Sequence, residues 1–397
     1  MNNKVLSIVG TRPEAIKMAP LLRALEAEPD VESVVCSTGQ HRQMLGQVLD
    51  LFDIKPRYDL AVMRHDQTLN SLTARLIEAI DGVIERERPS RILVHGDTTT
   101  ASSASLAAFH RRIPVGHVEA GLRTGDLSRP WPEEMNRRIV DVVSDLLFVP
   151  TARSRANLEK EAVHGRVVVT GNTVIDALLA TTGRIDGDAA LRARLDARLA
   201  FVDPSRRLVL VTGHRRESFG RGLLDVCAAL AQLARRPDVQ VVYPVHLNPN
   251  VREPVTHALG GLPNVHLIEP QDYTGFIRLL QRASVVLTDS GGVQEEAPAL
   301  GVPVLVTRDV TERPEAIQAG TAVLVGTDRH AIVHAVGALL DDPGARATFA
   351  RRPNPYGDGL ASSRIVAALV GRPFEEFSPT ASTAAPASLG AGSHVTA

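Results

Sequence analysis

The sequence predicts an α/β protein of two similar domains, each built on a parallel sheet, facing each other across a cleft. Three observations carry that expectation. At 397 residues the chain is long for one core and comfortable for two. Short β-branched runs alternate with amphipathic segments, which is the rhythm of βαβ units. Six such runs fall in each half, and several end in turn or polar residues, where open parallel sheets bind their ligands.

In the first half the predicted strands are Val5–Val9, Ser33–Ser37, Arg91–His95, Ile113–Val118, Asp145–Val149 and Arg166–Thr170. Helical patterns lie between them at Ala19–Ala27, Ser71–Glu87, Ala101–Phe109, Pro132–Val143 and Ala152–Glu161. A polar stretch from Thr181 to Arg206 reads as the connection between domains, with D-G-D at 186–188 as solvated linker. The second half repeats the rhythm at Leu208–Val211, Val239–Val245, Val265–Ile268, Ser284–Leu287, Pro303–Val306 and Ala322–Val325. A last amphipathic helix spans Ser362–Leu369, and residues 376–397 read as a disordered tail rich in Ala, Ser, Thr, Gly and Pro.

Hydrophobic content of 44% and charged content of 22% are ordinary for a soluble globular protein. A net charge of -1 gives no general attraction to nucleic acid or an anionic membrane, so any anion site must be local. Cys36 and Cys227 sit in apolar contexts and read as reduced core thiols. The first strand starts at once without a signal-peptide core, and no apolar run approaches about 18 residues. The expectation is a soluble cytoplasmic protein.

The stretch from His117 to Arg138 is the chemical centre. It leaves a strand, crosses a loop holding the chain's one Trp, and enters a helix at Pro132, a residue suited to a first turn. Glu119 and Glu133 bracket the loop, with Arg123 and Arg129 between them. Acids and guanidinium groups at a strand's carboxyl end suit proton transfer on an anionic substrate. Glu119 has no local partner, and an unpaired buried carboxylate is costly; Glu134 instead reads as a helix-dipole and arginine partner.

Two further loops follow the same logic. D-S-G-G-V-Q-E-E-A at 289–297 lets Ser290, Gly291 and Gly292 offer bare amides to a phosphate at a helix N-terminus, with Glu296 one turn on, able to accept from ribose hydroxyls. T-G-H-R-R-E at 212–217 puts His214 among arginines at a strand end, suited to a diphosphate or a proton transfer. Arg12, Lys17 and Asp97 also lie at strand ends or helix starts. No G-x-G-x-x-G follows the first strand, there is no Walker loop, and no histidine shows ligand spacing, so neither a dinucleotide nor a structural metal is expected.

Together G-T-R-P-E-A-I-K-M-A-P, G-Q-H-R-Q-M-L, H-G-D-T-T-T, P-V-G-H-V-E-A-G-L-R-T-G-D, P-W-P-E-E-M-N-R, T-G-H-R-R-E, T-D-S-G-G-V-Q-E-E-A-P and N-P-Y-G-D-G resemble the bacterial non-hydrolysing UDP-N-acetylglucosamine 2-epimerases, from about Val5 to Leu369. The resemblance implies a GT-B-like fold of two Rossmann-like domains with the substrate in the cleft. The domains would be 1–176 joined by a C-terminal helix at 358–375, and 177–357. It implies reversible conversion of UDP-GlcNAc and UDP-ManNAc by a homodimer, with no cofactor and no metal. By position in the matching motifs, Asp97, Glu119 and Glu133 are acid/base candidates, and His214, Arg12 and Lys17 lie near diphosphate and sugar. Ser290, Gly291 and Gly292 would hold phosphate, Glu296 the ribose, Gln271 and Phe276 the uracil, with Arg313 a further contact. A second UDP-GlcNAc could act as activator through Gln40, Gln43, Arg215 and His246, weakened here by Asp66, where some relatives carry an Arg. The alternatives are a hydrolysing relative releasing UDP and ManNAc, a GT-B glycosyltransferase, and a catalytically silent nucleotide-sugar sensor.

Overall fold

The computed structural model describes residues 3–39, 42–64, 66–213, 215 and 220–379, with only the backbone described at 42–44. The chain divides into two compact units, one running up to Ala180 together with Tyr356–Ser378, the other comprising Thr181–Pro355. The boundaries expected at 176/177 and 357/358 therefore fall at Ala180/Thr181 and Pro355/Tyr356.

The first unit opens with β1 (Lys4–Val9), α1 (Arg12–Glu26), β2 (Glu32–Ser37), α2 (Arg42–Leu51) and β3 (Tyr58–Asp59). It continues through α3 (Leu69–Glu87), β4 (Arg91–His95), α4 (Thr99–His110), β5 (Val115–Val118) and α5 (Glu133–Val143). Then come β6 (Leu146–Val149), α6 (Ala152–Lys160), β7 (Arg166–Val169) and α7 (Thr173–Gly187), whose last residues, from Thr181, belong to the second unit. Its sheet is parallel in the order β3-β2-β1-β4-β5-β6-β7, so the order reverses between β1 and β4. Such a switch point opens a crevice at the strands' carboxyl ends.

Strand β1 shows why the sheet is central. Val5 and Val9 face one layer with Met18, Leu21 and Leu25 of α1, while Leu6 and Ile8 face another with Leu76 and Ile80 of α3. A strand covered on both sides must be apolar in both phases of its period of two. The carboxyl end of β1 is crowded as well: a Cβ at Gly10 would collide with Thr100 Oγ1 and come within 2.7 Å of Thr38 Oγ1. Only glycine lets β1 run so close to its neighbours.

The second unit holds α8 (Ala189–Arg198), β8 (Arg207–Thr212), α9 (Arg221–Leu233), β9 (Val239–Pro244), α10 (Pro249–Leu259) and β10 (Val265–Ile268). After these come α11 (Tyr273–Arg282), β11 (Ala283–Thr288), α12 (Gly291–Ala299), β12 (Val304–Val306), α13 (Pro314–Gln318) and β13 (Ala322–Leu324). It closes with α14 (Arg329–Asp341) and α15 (Pro343–Ala350), and α16 (Ala361–Val370) belongs to the first unit. The second sheet runs β10-β9-β8-β11-β12-β13, with its own reversal between β8 and β11. Among the described residues, no helix is long and apolar enough to cross a membrane.

Several expectations need correction. The first sheet has a seventh strand, the two-residue β3, and α2 was not expected. The supposed linker is largely helical: α7 runs to Gly187, and Asp188 caps α8 by accepting from the amides of Ala190 and Leu191, both at 2.9 Å. A polar composition was mistaken for solvation, when one of its aspartates, Asp188, starts a helix. The tail also begins later than 376. Phe377 is buried against Ala120, Leu147, Val149 and Val169, and its amide donates to Val169 O at 2.9 Å. The rest of the expected tail, from 380, lies outside the described residues. Both cysteines are free and buried, and burial pushes the Cys36 thiol up to about 12 and the Cys227 thiol to about 11.

At the other end of the first sheet, Glu87 at the end of α3 ties three elements together. It accepts from Tyr58 Oη at 2.6 Å, Lys4 Nζ at 2.9 Å and Arg57 Nη1 at 3.2 Å. The Tyr58 hydroxyl first, then the Lys4 and Arg57 cations, outweigh burial and hold its carboxyl at about 2, below the ordinary 4.5. The native state thus binds fewer protons than the unfolded chain in that window, and stability present above pH 4.5 is lost as pH falls towards 2. Urea midpoints measured through this range should fall more steeply for the wild type than for Glu87→Gln.

Candidate functional site

In the first unit, the loops after β1, β4 and β5 bring the predicted acids and cations to one edge. Helix α1 starts with a capping box in which Thr11 and Glu14 cap each other. Arg12 is its first residue and Lys17 lies one turn further. Lys17 Nζ donates to both oxygens of Glu119, at 2.8 and 2.5 Å, with the two side chains 18% and 6% exposed. Glu119 therefore has the partner its own neighbourhood lacks, delivered from 102 residues away. His95 Nε2 lies 2.9 Å from the same carboxylate, not aligned for a hydrogen bond. Glu119 follows directly on β5 with φ of 65°, the left-handed region that non-glycine residues seldom adopt.

Asp97 follows Gly96 after β4. Arg137 of α5 clamps it through Nε at 3.0 Å and a second, shorter bond from Nη2, while Asn136 Nδ2 donates to its backbone carbonyl at 3.0 Å. Its carboxylate is 25% exposed. Glu133 begins α5, one residue later than expected, with Pro132 at the capping position. Its carboxylate is half-buried and has no ion pair among the described residues.

Glu134 has a different fate. It is fully buried and accepts from the amides of Thr124 at 3.1 Å and Gly125 at 3.2 Å, and from Arg137 at 3.2 Å and Arg138 at 3.3 Å. It pins the loop that the sequence placed at the centre. Arg123, expected to face an anionic substrate, is instead spent internally. Its guanidinium holds Glu161 through two bonds at 2.8 and 2.7 Å and lies 2.7 Å from Asp141. Arg129 is exposed.

Two buried groups went unrecognised as parts of the site. Glu14 accepts from the amides of Gly10 at 3.0 Å and Thr11 at 2.6 Å and from Thr98 Oγ1 at 2.6 Å, tying the loops after β1 and β4 together. Burial raises its carboxyl despite those bonds. The T-x-x-E spacing at Thr11–Glu14 was the available signal. His117 and Asp141 are both fully buried and hydrogen-bonded at 2.6 Å. Burial alone would raise the Asp141 carboxyl, but His117 and Arg123 together hold it below its ordinary value. An acid within the apolar run at the end of α5 was the clue there.

In the second unit, Ser290 precedes α12 without a side-chain cap, leaving the amides of Gly291 and Gly292 at the positive end of the helix dipole. A Cβ built on Gly291 would lie 3.9 Å from Arg215 Nη2 and from Arg313 Cζ, so two guanidinium groups stand over that turn. Arg313 is braced by Glu295, and the Arg215 amide donates to Asp289 at 2.8 Å. Glu296 is buried and accepts from Tyr273 Oη at 3.3 Å. Gln271 and Phe276 flank the start of α11, both half-buried, and Gln271 Nε2 donates to Glu269 O at 2.7 Å.

The remaining residues separate. His246 is exposed, its Nδ1 accepting from the Asn248 amide at 3.1 Å. Arg215 belongs with the Gly291 turn. His214 and Gln40 lie outside the described residues, as does the side chain of Gln43. Asp66 is exposed with φ of 51°. Among the described residues, no group of three or more His, Cys, Asp or Glu side chains is placed to hold a metal ion.

Two parallel sheets, each reversing strand order beside a polar loop cluster, define a GT-B-like protein of two Rossmann-like domains. A glycosyltransferase from Rickettsia africae, 13% identical, shares this fold with a TM-score of 0.60 over 93% of this chain and 98% of its own. The chain belongs to the UDP-N-acetylglucosamine 2-epimerase family, whose sequence model matches residues 23–370. It is similar to the UDP-N-acetylglucosamine 2-epimerase of Yersinia pestis, 58% identical over 92% of this chain and 98% of that protein. The enzyme of the same name from Escherichia coli K12 is 56% identical over the same shares. Among solved structures, the UDP-GlcNAc 2-epimerase from Neisseria meningitidis bound to UDP-GlcNAc is 47% identical, with a TM-score of 0.86 over 93% of this chain and all of that one.

The two adjacent glutamates of α5 should separate cleanly by stability. Glu134→Ala, which strands two arginines and two loop amides, is expected to cost about 3 kcal/mol in chemical denaturation. Glu133→Ala, lacking partners, should stay within about 0.5 kcal/mol of wild type.

Proposed function

We propose that the protein interconverts UDP-GlcNAc and UDP-ManNAc without hydrolysis. The observation that carries the reading is the set of carboxylates at the switch-point edge of the first unit, Asp97, Glu119 and Glu133, with Lys17 bonded to both oxygens of Glu119. The C2 hydrogen of the sugar is scarcely acidic, so a direct proton exchange there is slow. In the proposed route a carboxylate takes the C2 proton while the C1–O bond to UDP breaks on the opposite face. The products are 2-acetamidoglucal and UDP. UDP oxygen then re-forms the bond at C1 as C2 is protonated on the other face, restoring every atom.

Elimination needs a base that stays charged and cations that hold the leaving diphosphate. An ammonium against both oxygens of Glu119 favours the charged carboxylate. The Gly291 turn, with the Arg215 and Arg313 guanidinium groups over it, suits a diphosphate, and Glu296, braced by Tyr273, suits a ribose. Arg12, Lys17 and His214 are assigned to the diphosphate and sugar, and Gln271 and Phe276 to the uracil. We further read the protein as a homodimer that needs no cofactor, supplies a precursor for cell-surface polysaccharide, and takes a second UDP-GlcNAc as activator.

Run in D2O, the reaction should place deuterium at C2 of the epimerised product, read by NMR, and release little free ManNAc. Retention of the original C2 hydrogen would rule out the elimination, and ManNAc formed in step with turnover would mark a hydrolysing enzyme.

Substitutions should divide the residues by role. Glu119→Gln and Asp97→Asn are each expected to lower kcat by about 10²–10⁴-fold with UDP affinity nearly intact, whereas Glu296→Ala should weaken UDP binding by calorimetry and spare kcat at saturation. The reverse pattern would show the roles exchanged.

A further inference from the structure

His117 sits on β5 two residues before Glu119 and is wholly buried. Its Nε2 lies 2.8 Å from the carbonyl oxygen of Gly96, and its Nδ1 lies 2.6 Å from Asp141 Oδ1. A carbonyl oxygen can only accept, so Nε2 carries a proton. The facing Asp141 is a carboxylate also approached by Arg123 at 2.7 Å, so Nδ1 donates as well. Both ring nitrogens are donors, and the ring is a buried imidazolium. Its charge is balanced by a chain that runs Asp141, Arg123, Glu161 to the surface.

The far end of this chain is the carbonyl of Gly96, the residue before Asp97. Gly96 has φ of 63°, a turn conformation that glycine adopts as readily as others and that its contacts hold in place. The turn is also fixed by the Gly96 amide, which donates to Val118 O at 2.9 Å, and by Asn136 on the Asp97 carbonyl. His117 supplies the one charged donor among these, and charge-assisted bonds are the stronger kind.

We infer that His117 is a positioning residue for the epimerisation: its imidazolium clamps the Gly96 carbonyl and so aims the Asp97 carboxylate. The inference rests on the acid/base role given to Asp97 above. It assigns His117 no contact with substrate. A clamp of this kind acts on the chemical step rather than on binding, and a displacement of about 1 Å at a reacting group can cost about 10²-fold.

Two substitutions of similar polarity distinguish a clamp from a general structural role. In His117→Gln the side-chain amide reaches the position of Nε2 and can still donate to Gly96 O. In His117→Asn it reaches only the position of Nδ1. We expect His117→Asn to lower kcat by about 100-fold with KM changed by less than about 3-fold, and His117→Gln to recover kcat to within about 10-fold of wild type. Placed in an Asp97→Asn background, His117→Asn should cost no more than about a further 3-fold, because its effect passes through the group already removed. Circular dichroism and UDP affinity verify that each variant is folded.

An additive double variant, an effect on KM alone, or equal losses in His117→Asn and His117→Gln would each overturn the clamp. Should His117→Asn fail to fold, folded His117→Gln decides alone: kcat within about 10-fold supports the clamp, and a loss of 100-fold or more removes it. Asp97→Asn with full activity would instead remove the assignment of Asp97, and the clamp with it.

Discussion

Charge buried at the carboxyl edge of the first sheet has to be neutralised from within, and that constraint organises the unit. Five acids gather there at low exposure: Glu14, Glu119, Glu134, Asp141 and, more openly, Asp97. Each is satisfied by something distant in sequence or by loop amides. Lys17 reaches Glu119, Arg137 joins Asp97 to Glu134, Arg123 joins Asp141 to Glu161, and Glu14 gathers amides and a hydroxyl. An isolated ion in such a place would be prohibitive, and a single pair would barely break even. Linked pairs with satisfied hydrogen bonds hold the loops in one arrangement instead. Glu133 stands apart, with no ion pair among the described residues.

The fold was legible because apolar periodicity is a local property. Strand β1 reads V-L-S-I-V, apolar in both phases, and nothing in the tertiary structure contradicts it. What escaped notice had weak local signals. Strand β3 is two residues long and exists only by pairing Cys36 with Tyr58 and Ser37 with Asp59. The stretch after Thr181 looked like linker because α8 is nearly all charged and alanine, yet such residues are good helix formers. The start of the tail was misjudged because one aromatic, Phe377, outweighs the polar residues around it.

The site was legible in part. Strand-end logic put Asp97 and Glu119 just after β4 and β5 and Gly291 at the start of α12, where the structure has them. Which cation serves which acid could not be read, because pairs such as Lys17 with Glu119 span 102 residues and depend on the packing of α1 against the sheet. Arg123 shows the error this invites: it sits in the loop of greatest chemical interest and is consumed in building it. Glu134 pairs with Arg137 and Arg138, the arginine partnership that its place in the first turn of α5 suggested. His117 was passed over for the same reason: a histidine inside an apolar run looks like core until Asp141 and Gly96 are seen on either side of it.

Glu119 carries a further consequence. A side-chain-bearing residue in the left-handed region is disfavoured by about 1–2 kcal/mol relative to the ordinary helical one, and glycine would occupy φ of 65° freely. Asp53, Ala61, Arg88, Arg112 and Ala162 share that conformation. Arg88 does so as the C-cap of α3, where glycine is the commonest solution. For anyone engineering a hardier form of this protein, those positions are natural places to begin. Residue 119 looks identical by backbone geometry, but glycine there would remove the carboxylate that Lys17 holds at the end of β5, so the strain is inseparable from that pair.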